Sequence, residues 1–484
     1  MQEAPQIKNP SITLYPFHLR DDSDEGYDAV AKNAQSLWEN LADNVGTQFN
    51  SNELKSLRDK LVCYKDKQYY PDDKLENRNN GKLLIPNSGK TLDLEPITQP
   101  DLPKLFGSIY PLRIHDTYTA DLTFYYQNST IKVAELNQLN PQGCLLPNAI
   151  KPSLGQTLLL YAAPAVYDTY PKLAEECVKA FVQNKRQAPP EFRTEGRLFG
   201  SPIFEYDSRE DDAAKRCHIL VWLQDNPQTL QFATPTFNSY LMNLLCSRAK
   251  IVFVYREARK RYRKAQQIVG ELEKKLPEFG AIEKEQDRQV KLLKLKELLA
   301  EVRTKMLACS QQVRYLQEDR NTIDINAENY GESLTRIRSL CIDGDNLDFW
   351  QRFLDLAEGK YQRQIEIDLN YLIASQDLFQ QSISTVRGMV EIEQVEFDRE
   401  QAKSEKKRDR QLENIIFFVG TAIGGGQIFS AAYPLLKDTP IQWRLDSSLP
   451  LHPFAATILW SLLFGLVFGL LMLGIAVLIR KIIR

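Results

Sequence analysis

The chain has 484 residues, a formal net charge of -2 and 26% charged residues. That length exceeds one ordinary core, so more than one structural unit is expected. The balanced charge gives no bulk attraction to a polyanion, so no direct nucleic-acid partner is expected.

The start, MQEAPQIKNPSITLYPF, has no basic stretch followed by an apolar one and does not read as a secretory leader. The seven cysteines are odd in number and none has CxxC spacing, and the four histidines lie far apart. These spacings give no zinc or thioredoxin-like signature, and the simplest reading is reduced thiols in a cytosolic domain.

Residues 1–240 alternate strand-like and helix-like pieces. Runs rich in β-branched and aromatic residues predict strands at 11–19, 121–127, 157–162, 202–206 and 218–224. Helices are expected at 26–46 and 170–185. The mixture implies an α/β domain. No Walker A loop, GxGxxG, nucleophile elbow or HExxH occurs, so the chain is not expected to be an enzyme. Two acidic clusters stand out. RDDSDEGYD holds Asp21, Asp22, Asp24, Glu25 and Asp28, the first four being the candidate metal ligands, and EYDSREDDA holds Glu205, Asp207, Glu210, Asp211 and Asp212. Clustered carboxylates suit Mg²⁺ or Ca²⁺. Neither cluster has EF-hand spacing, so a hydrated acidic loop competes with the metal reading at both. GRLFGSPIFEY (196–206) reads as a plain turn before a strand or as the wall of a small-ligand pocket.

Residues 241–345 read as a helical hairpin. Leu241, Leu244, Leu245, Arg248, Ile251, Val252 and Tyr255 recur at helical spacing in a first helix that should end near Pro277 and Gly280. A second helix is expected from about Ile282 to Leu340, before the turn CIDGDN. Residues 346–413 read as a stalk helix. Gln362, Ile365, Leu369, Leu372, Gln376, Phe379, Ile383, Val386, Val390, Glu393 and Phe397 alternate spacings of three and four. That is the seam of helices packed along their length. No proline occurs between Pro277 and Pro434, so one helix from about Trp350 to Pro434 would be roughly 125 Å long.

Two uncharged apolar stretches close the chain, 414–436 and 454–479, each long enough to cross a bilayer. Lys403, Lys406, Lys407, Arg408 and Arg410 precede the first, and Arg480, Lys481 and Arg484 follow the second, while the 437–453 loop has only Lys437 and Arg444. The positive-inside rule puts both termini in the cytoplasm and the short loop outside, so the expected location is the inner (plasma) membrane, multi-pass, with lipid as a partner. The expected fold class is therefore an α+β membrane protein: a cytosolic α/β domain, a helical hairpin, a long stalk helix and two C-terminal transmembrane helices.

This order of parts resembles the CorA-like two-span divalent-cation transporters, most closely over residues 241–484. The resemblance implies a homopentamer whose first span lines a pore, whose second faces lipid, and whose basic tail (Arg480, Lys481, Arg484) rings the cytosolic mouth. It also implies Mg²⁺ as cargo. The family's Gly-Met-Asn signature is absent: the corresponding end reads FSAAYPLLKDTP, so no selectivity residue carries over. CorA-like proteins without the signature occur beside type III CRISPR systems as membrane effectors switched by a nucleotide-type messenger, which implies a small nucleotide-like ligand for the cytosolic domain.

At 100° per residue, Asn414, Phe418, Thr421 and Gly425 share one face of the first span and are the expected pore-lining positions. Gly420, Gly424, Gln427 and Ala431 share a neighbouring face. Gly420, Gly424 and Gly426, with Gly465 and Gly469 of the second span, are expected to permit close helix packing or to form a hinge. Three functions follow: a gated homo-oligomeric cation channel or transporter, a messenger-activated defence effector on the same scaffold, and a coiled-coil membrane tether without transport.

Overall fold

The computed structural model describes residues 4–22, 29–71, 81–86, 91–98, 102–182, 189–208, 210–436 and 453–482, with side chains at 432–436, 453–456 and 480–482 excepted. It is a mixed α/β structure with an N-terminal sheet and long helices. It divides into two compact units, residues 1–271 with 305–378, and residues 272–304 with 379–484.

The first unit is built on a ten-stranded sheet. Its strands are β1 Gln6–Leu19, β2 Gly81–Leu83, β3 Leu92–Ile97, β4 Leu105–Ile114, β5 Thr117–Tyr126, β6 Thr130–Lys132, β7 Gly155–Val166, β8 Glu191–Leu198, β9 Ser201–Asp207 and β10 Cys217–Leu223. The main path runs β8-β9-β10-β7-β1-β5-β4-β2, with β3 on β4 and β6 on β1. Only β7 and β10 pair in parallel, with Leu159 opposite Leu220. All seven residues of β10 are buried, as expected of a strand covered on both faces. One face carries the main core, with Trp38, Leu122, Phe124, Leu158 and Phe181 all nearly inaccessible. Phe49 stacks on Phe124 at 4.0 Å between ring centres.

The five expected strands are all present; those expected at 11–19, 157–162 and 202–206 lie inside slightly longer strands, and those at 121–127 and 218–224 end one residue earlier, at Tyr126 and Leu223. Five sheet strands, β2, β3, β4, β6 and β8, escape the sequence pattern. β4 is interrupted by Gly107 and Pro111, yet it needs the glycine: a Cβ there would lie 2.9 Å from both Leu94 and Phe124. β8 is an edge strand, and its charged sequence, EFRTEGRL, hides its pairing and guards the edge. β2 and β6 have three residues each. The helix expected at 26–46 begins only at Ser36. Val30 is instead bridged to Asp21, and the Ala31 amide donates to the Arg20 carbonyl at 2.9 Å, which holds this stretch extended. The helix expected at 170–185 is α1, Tyr170–Val182.

The hairpin comprises α2, Pro235–Glu283, and α3, Arg288–Arg338. The first does not stop at Pro277. That residue is exposed, so the carbonyl it leaves unbonded reaches water and the helix continues to Glu283. The stalk starts with α4, Asp348–Leu356, passes through one π-helical stretch, Ala357–Gln362, and continues as α5, Arg363–Leu436. The proposed seam is the buried face of α5. In the first unit Ile365, Leu369 and Leu372 are at most 5% exposed, and in the second Phe379 and Val386 are at most 3% exposed. The partners come from the same chain. In the first unit Tyr255 of α2 stacks on Tyr361 at 4.0 Å, and Arg259 pairs with Asp368. In the second, Lys291 of α3 pairs with Glu393 at 2.5 Å and Arg288 with Glu396 at 3.0 Å. From Gln401 to Glu413 every residue of α5 is exposed.

Candidate functional site

The second unit ends in two helices long and apolar enough to cross a membrane, the C-terminal part of α5 and α6, Pro453–Ile482. Only 6% of the apolar window of α5 and 11% of that of α6 is buried, so neither is a buried core helix within this chain. α5 stays helical through Gly424, Gly425 and Gly426, so the triplet is not a break in the helix.

Small residues set how closely these helices meet. A Cβ on Gly465 would lie 2.4 Å from the Ala422 carbonyl oxygen, and one on Gly426 would lie 2.9 Å from the Ser461 carbonyl oxygen. No larger residue fits at either position without parting the backbones, as expected of small-residue contacts in apolar surroundings. Gly469 faces the Phe418 ring and Gly425 the Phe468 ring, at 3.0 and 2.8 Å from an added Cβ. Phe429 stacks on Phe464 with ring centres 4.9 Å apart.

This packing separates two faces that the sequence placed side by side. Phe418 and Gly425, expected to line a pore, are turned toward α6 in the same chain. Thr421, on the same face, donates its hydroxyl to the Phe417 and Phe418 carbonyls at 2.7 and 3.0 Å, which satisfies it within its own helix. Asn414 is half-buried. Gly420 and Gly424 have nothing within 4 Å of an added Cβ and open away from α6. Gly426, Gly465 and Gly469 make close helix contacts inside the chain. The side chains of Arg480 and Lys481, and all of Arg484, lie outside the described residues.

The acidic candidates are placed differently from either reading. Asp21 pairs with Arg20 and, at 3.0 Å, with Arg113, so two guanidiniums occupy the side where a cation would bind. The Asp22 amide is tied to the Ala29 carbonyl at 2.8 Å. Asp24 and Glu25 lie outside the described residues, among which no group of three or more potential ligands could hold a metal ion. Glu205 and Asp207 lie in β9, not in a hydrated loop, and form the centre of a buried ionic cluster. Arg248 of α2 donates to Glu205 at 2.9 Å and to Asp207 at 3.0 Å. Arg216 reaches Asp207 through Nε at 2.8 Å. His218 of β10 donates from Nε2 to Glu205 at 3.0 Å and accepts at Nδ1 from the Thr157 hydroxyl at 2.8 Å. The Arg248 guanidinium lies over the Phe353 ring at 5.1 Å.

Burial opposes ionisation of Asp207, but the Arg248 charge and the bond from Arg216 outweigh it and hold the carboxyl well below the usual range. Glu205 is lowered too: Arg248 and His218 outweigh its burial. Burial and the Arg248 charge lower His218, which stays neutral. The cluster therefore fixes the sheet to α2 electrostatically. Its signal in the sequence is Arg248, a cation in the apolar stripe of α2, together with two carboxylates two apart on one strand face.

A polar cleft of about 240 Å³ lies in the first unit between α2 and α3, capped by the turn between β4 and β5. Tyr240, Asn243, Ser247 and Lys250 line it from α2, and Asn326, Asn329, Glu332, Ser333 and Arg336 from α3, with Glu332 paired to Arg336 at 2.5 Å. Lys250 is 7% exposed and is paired with Asp116. Burial and the Lys250 charge keep His115 on the cleft wall below its usual range. Arg336 sits over the Tyr240 ring at 5.5 Å. Such a wall can hydrogen-bond a small polar ligand and neutralise an anionic group on it.

Comparison with family models, with curated proteins and with solved structures finds no match for the chain.

Proposed function

We propose that the chain is a homo-oligomeric, pentameric CorA-like membrane channel or cation transporter, governed by its cytosolic sheet domain.

 The single observation that carries this reading is the two-sided character of α5 at its apolar end. One side is closed by glycine contacts to α6, and the opposite side, with Gly420 and Gly424, is open. An apolar helix pair with one unpartnered small-residue side suits assembly of copies around an axis, with α6 on the lipid side. The pore side is then the Gly420–Gly424 face rather than the Asn414–Phe418–Thr421–Gly425 face. In this reading both termini are cytoplasmic, the membrane is the inner (plasma) membrane, and the cargo is a cation such as Mg²⁺.

The test is flux in liposomes holding the purified chain, combined with thiol labelling of Gly424→Cys and Gly425→Cys. Cation flux, with faster aqueous labelling at position 424 than at 425, is the expected result. No flux for any cation, with both positions shielded, would sink the channel and leave a membrane-anchored tether.

A second reading is favoured by the Lys250–Arg336–Tyr240 cleft. Lys250 and Arg336, each paired with a carboxylate (Asp116 and Glu332), and the Tyr240 ring in one polar recess suit a nucleotide-type messenger that displaces one of those pairs, which would make the chain a defence effector that stays closed until the messenger binds. Flux that appears only with such a ligand, and is lost in Lys250→Met, supports it. Constitutive flux argues for the transporter.

A further inference from the structure

We propose that the stretch of α5 from Lys403 to Glu413 is a contact between copies, in which a basic stripe on one copy seats on an acidic stripe of the next, parallel copy. This rests on the oligomeric reading above and names the surface through which copies meet beside the apolar segment.

At 100° per residue, Lys403, Lys406, Lys407 and Arg410 fall within one sector about 100° wide, and Glu405, Asp409 and Glu413 within another about 80° wide. Every one of these residues is exposed. None has an ion-pair partner within the chain among the described residues, and Arg408 alone among the nearby charges falls outside both stripes.

The spacing is what separates this stretch from an ordinary solvated face. Lys403–Lys407, Lys406–Arg410, Glu405–Asp409 and Asp409–Glu413 are like-charge pairs four residues apart, an arrangement that destabilises a lone helix. The ion pairs formed elsewhere at that spacing join opposite charges: Lys172 with Asp168, Lys179 with Glu175, Arg314 with Glu318, Arg336 with Glu332, and Arg387 with Glu391; α2 also has exposed like charges four apart at Lys260 and Lys264, but no acidic stripe accompanies them. Lys406–Asp409 and Arg410–Glu413, opposite in sign and three apart, form no ion pair among the described residues. Like charges stacked along two faces call for an opposite-sign surface of the same length.

A second copy supplies it without axial shift. Glu405 and Lys406 are sequence neighbours, as are Asp409 and Arg410, so these two acids of one parallel helix stand level with bases of the next, while Glu413 has no such neighbour. Such a contact uses different faces on the two copies, so it closes into a ring when the faces are set at the ring's internal angle. The stripe centres are about 110° apart on a helix of 100° per residue, which corresponds to a ring of about five. An anionic lipid surface is the poorer occupant, because Glu413 lies nearer the apolar segment than Arg410 does and would meet the headgroups first.

The experiment uses the full chain in detergent and in nanodiscs, with oligomer size read by native mass spectrometry and contacts by disulfide formation in Asp409→Cys/Arg410→Cys. The wild-type chain should be oligomeric, the cysteine variant should give a ladder of cross-linked copies, and higher salt should weaken the assembly. Lys406→Glu/Arg410→Glu should lower the oligomer fraction at least several-fold, as should Glu405→Lys/Asp409→Lys. The four-residue swap, which exchanges the stripes, should restore it. An oligomer indifferent to both single-stripe reversals overturns the interface while leaving the oligomeric reading intact. A wild-type chain that is monomeric in both media overturns both. Loss of binding to anionic vesicles on reversing the basic stripe, with oligomer size unchanged, assigns the surface to lipid and also overturns the proposal.

Discussion

Up to Glu400, α5 pairs charges with other helices of its own chain; from Gln401 to Glu413 every one of its residues is exposed, and beyond that it packs within the chain on one side only. The seam from Ile365 to Val386 is buried by helices of the same chain, and Lys291, Arg288 and Arg259 find carboxylates on α5. Beyond that point one continuous helix presents two unpaired charge stripes, and then an apolar face covered on one side only. The same helix is thus core in one region and open surface in the other. The lesson is that helix formation and helix partnering are separate problems: local pattern settles the first, and the second depends on what else is within reach.

The largest effect should come from breaking the self-sufficient region at its buried charges. Arg248→Met leaves Glu205 and Asp207 buried without their shared cation and should cost about 3–5 kcal/mol. Thermal melting of the full chain in detergent checks this; a loss comparable to that of an exposed control such as Arg408→Met would mean that the cluster is not structural.

The seam should come next. Leu372→Ala removes a fully buried side chain and should cost about 2–5 kcal/mol, whereas Leu412→Ala, at a position 59% exposed, should leave the melting temperature unchanged. Equal effects at both positions would erase the contrast between the regions.

Within the open region, glycines on opposite sides of α5 should behave differently. Gly465→Leu has no room against the Ala422 carbonyl and should cost about 1–3 kcal/mol in helix pairing. Cross-linking between cysteines at Phe418 and Gly469 reports it. Gly424→Leu, with open space around it, should leave that cross-link intact.

The smallest effect is that of pH. His218 is held neutral, below its ordinary value, by burial and then by the Arg248 charge. Its unfolded form takes up a proton from about pH 6.5 downward, so stability is full above that pH and falls as the solution is acidified. Glu205 and Asp207, also lowered in the folded chain, add a further loss below about pH 4. A series of melting temperatures from pH 8 to 5 should slope downward, and His218→Gln should make the slope shallower. A rise in stability on acidification would contradict the neutral assignment.

Some of this was legible in the residues and some was not. The strands at 11–19 and 218–224 declared themselves because buried strands are written in β-branched and aromatic residues. β8 did not, because an edge strand is charged for protection and looks like a loop. The stalk seam was legible from its alternating spacing, but not the identity of its partners. Asp21 read as a cation ligand because carboxylates crowd its neighbourhood in sequence. The fold instead brings Arg113 to it from ninety-two residues away.

By itself the sequence determined that a mixed sheet domain is followed by long helices, that the stalk has one face made for packing, and that two apolar segments are long enough to cross a bilayer. Those properties are local sums of propensity, period and hydropathy, and they survive without knowledge of neighbours. Only the tertiary structure decided that the acids of β9 are buried against Arg248, that Phe418 and Gly425 belong to α6, and that Gly420 and Gly424 remain open. Each of these depends on which surfaces meet across tens or hundreds of residues, and contact at that range is set by the packing of the whole chain rather than by any segment of it.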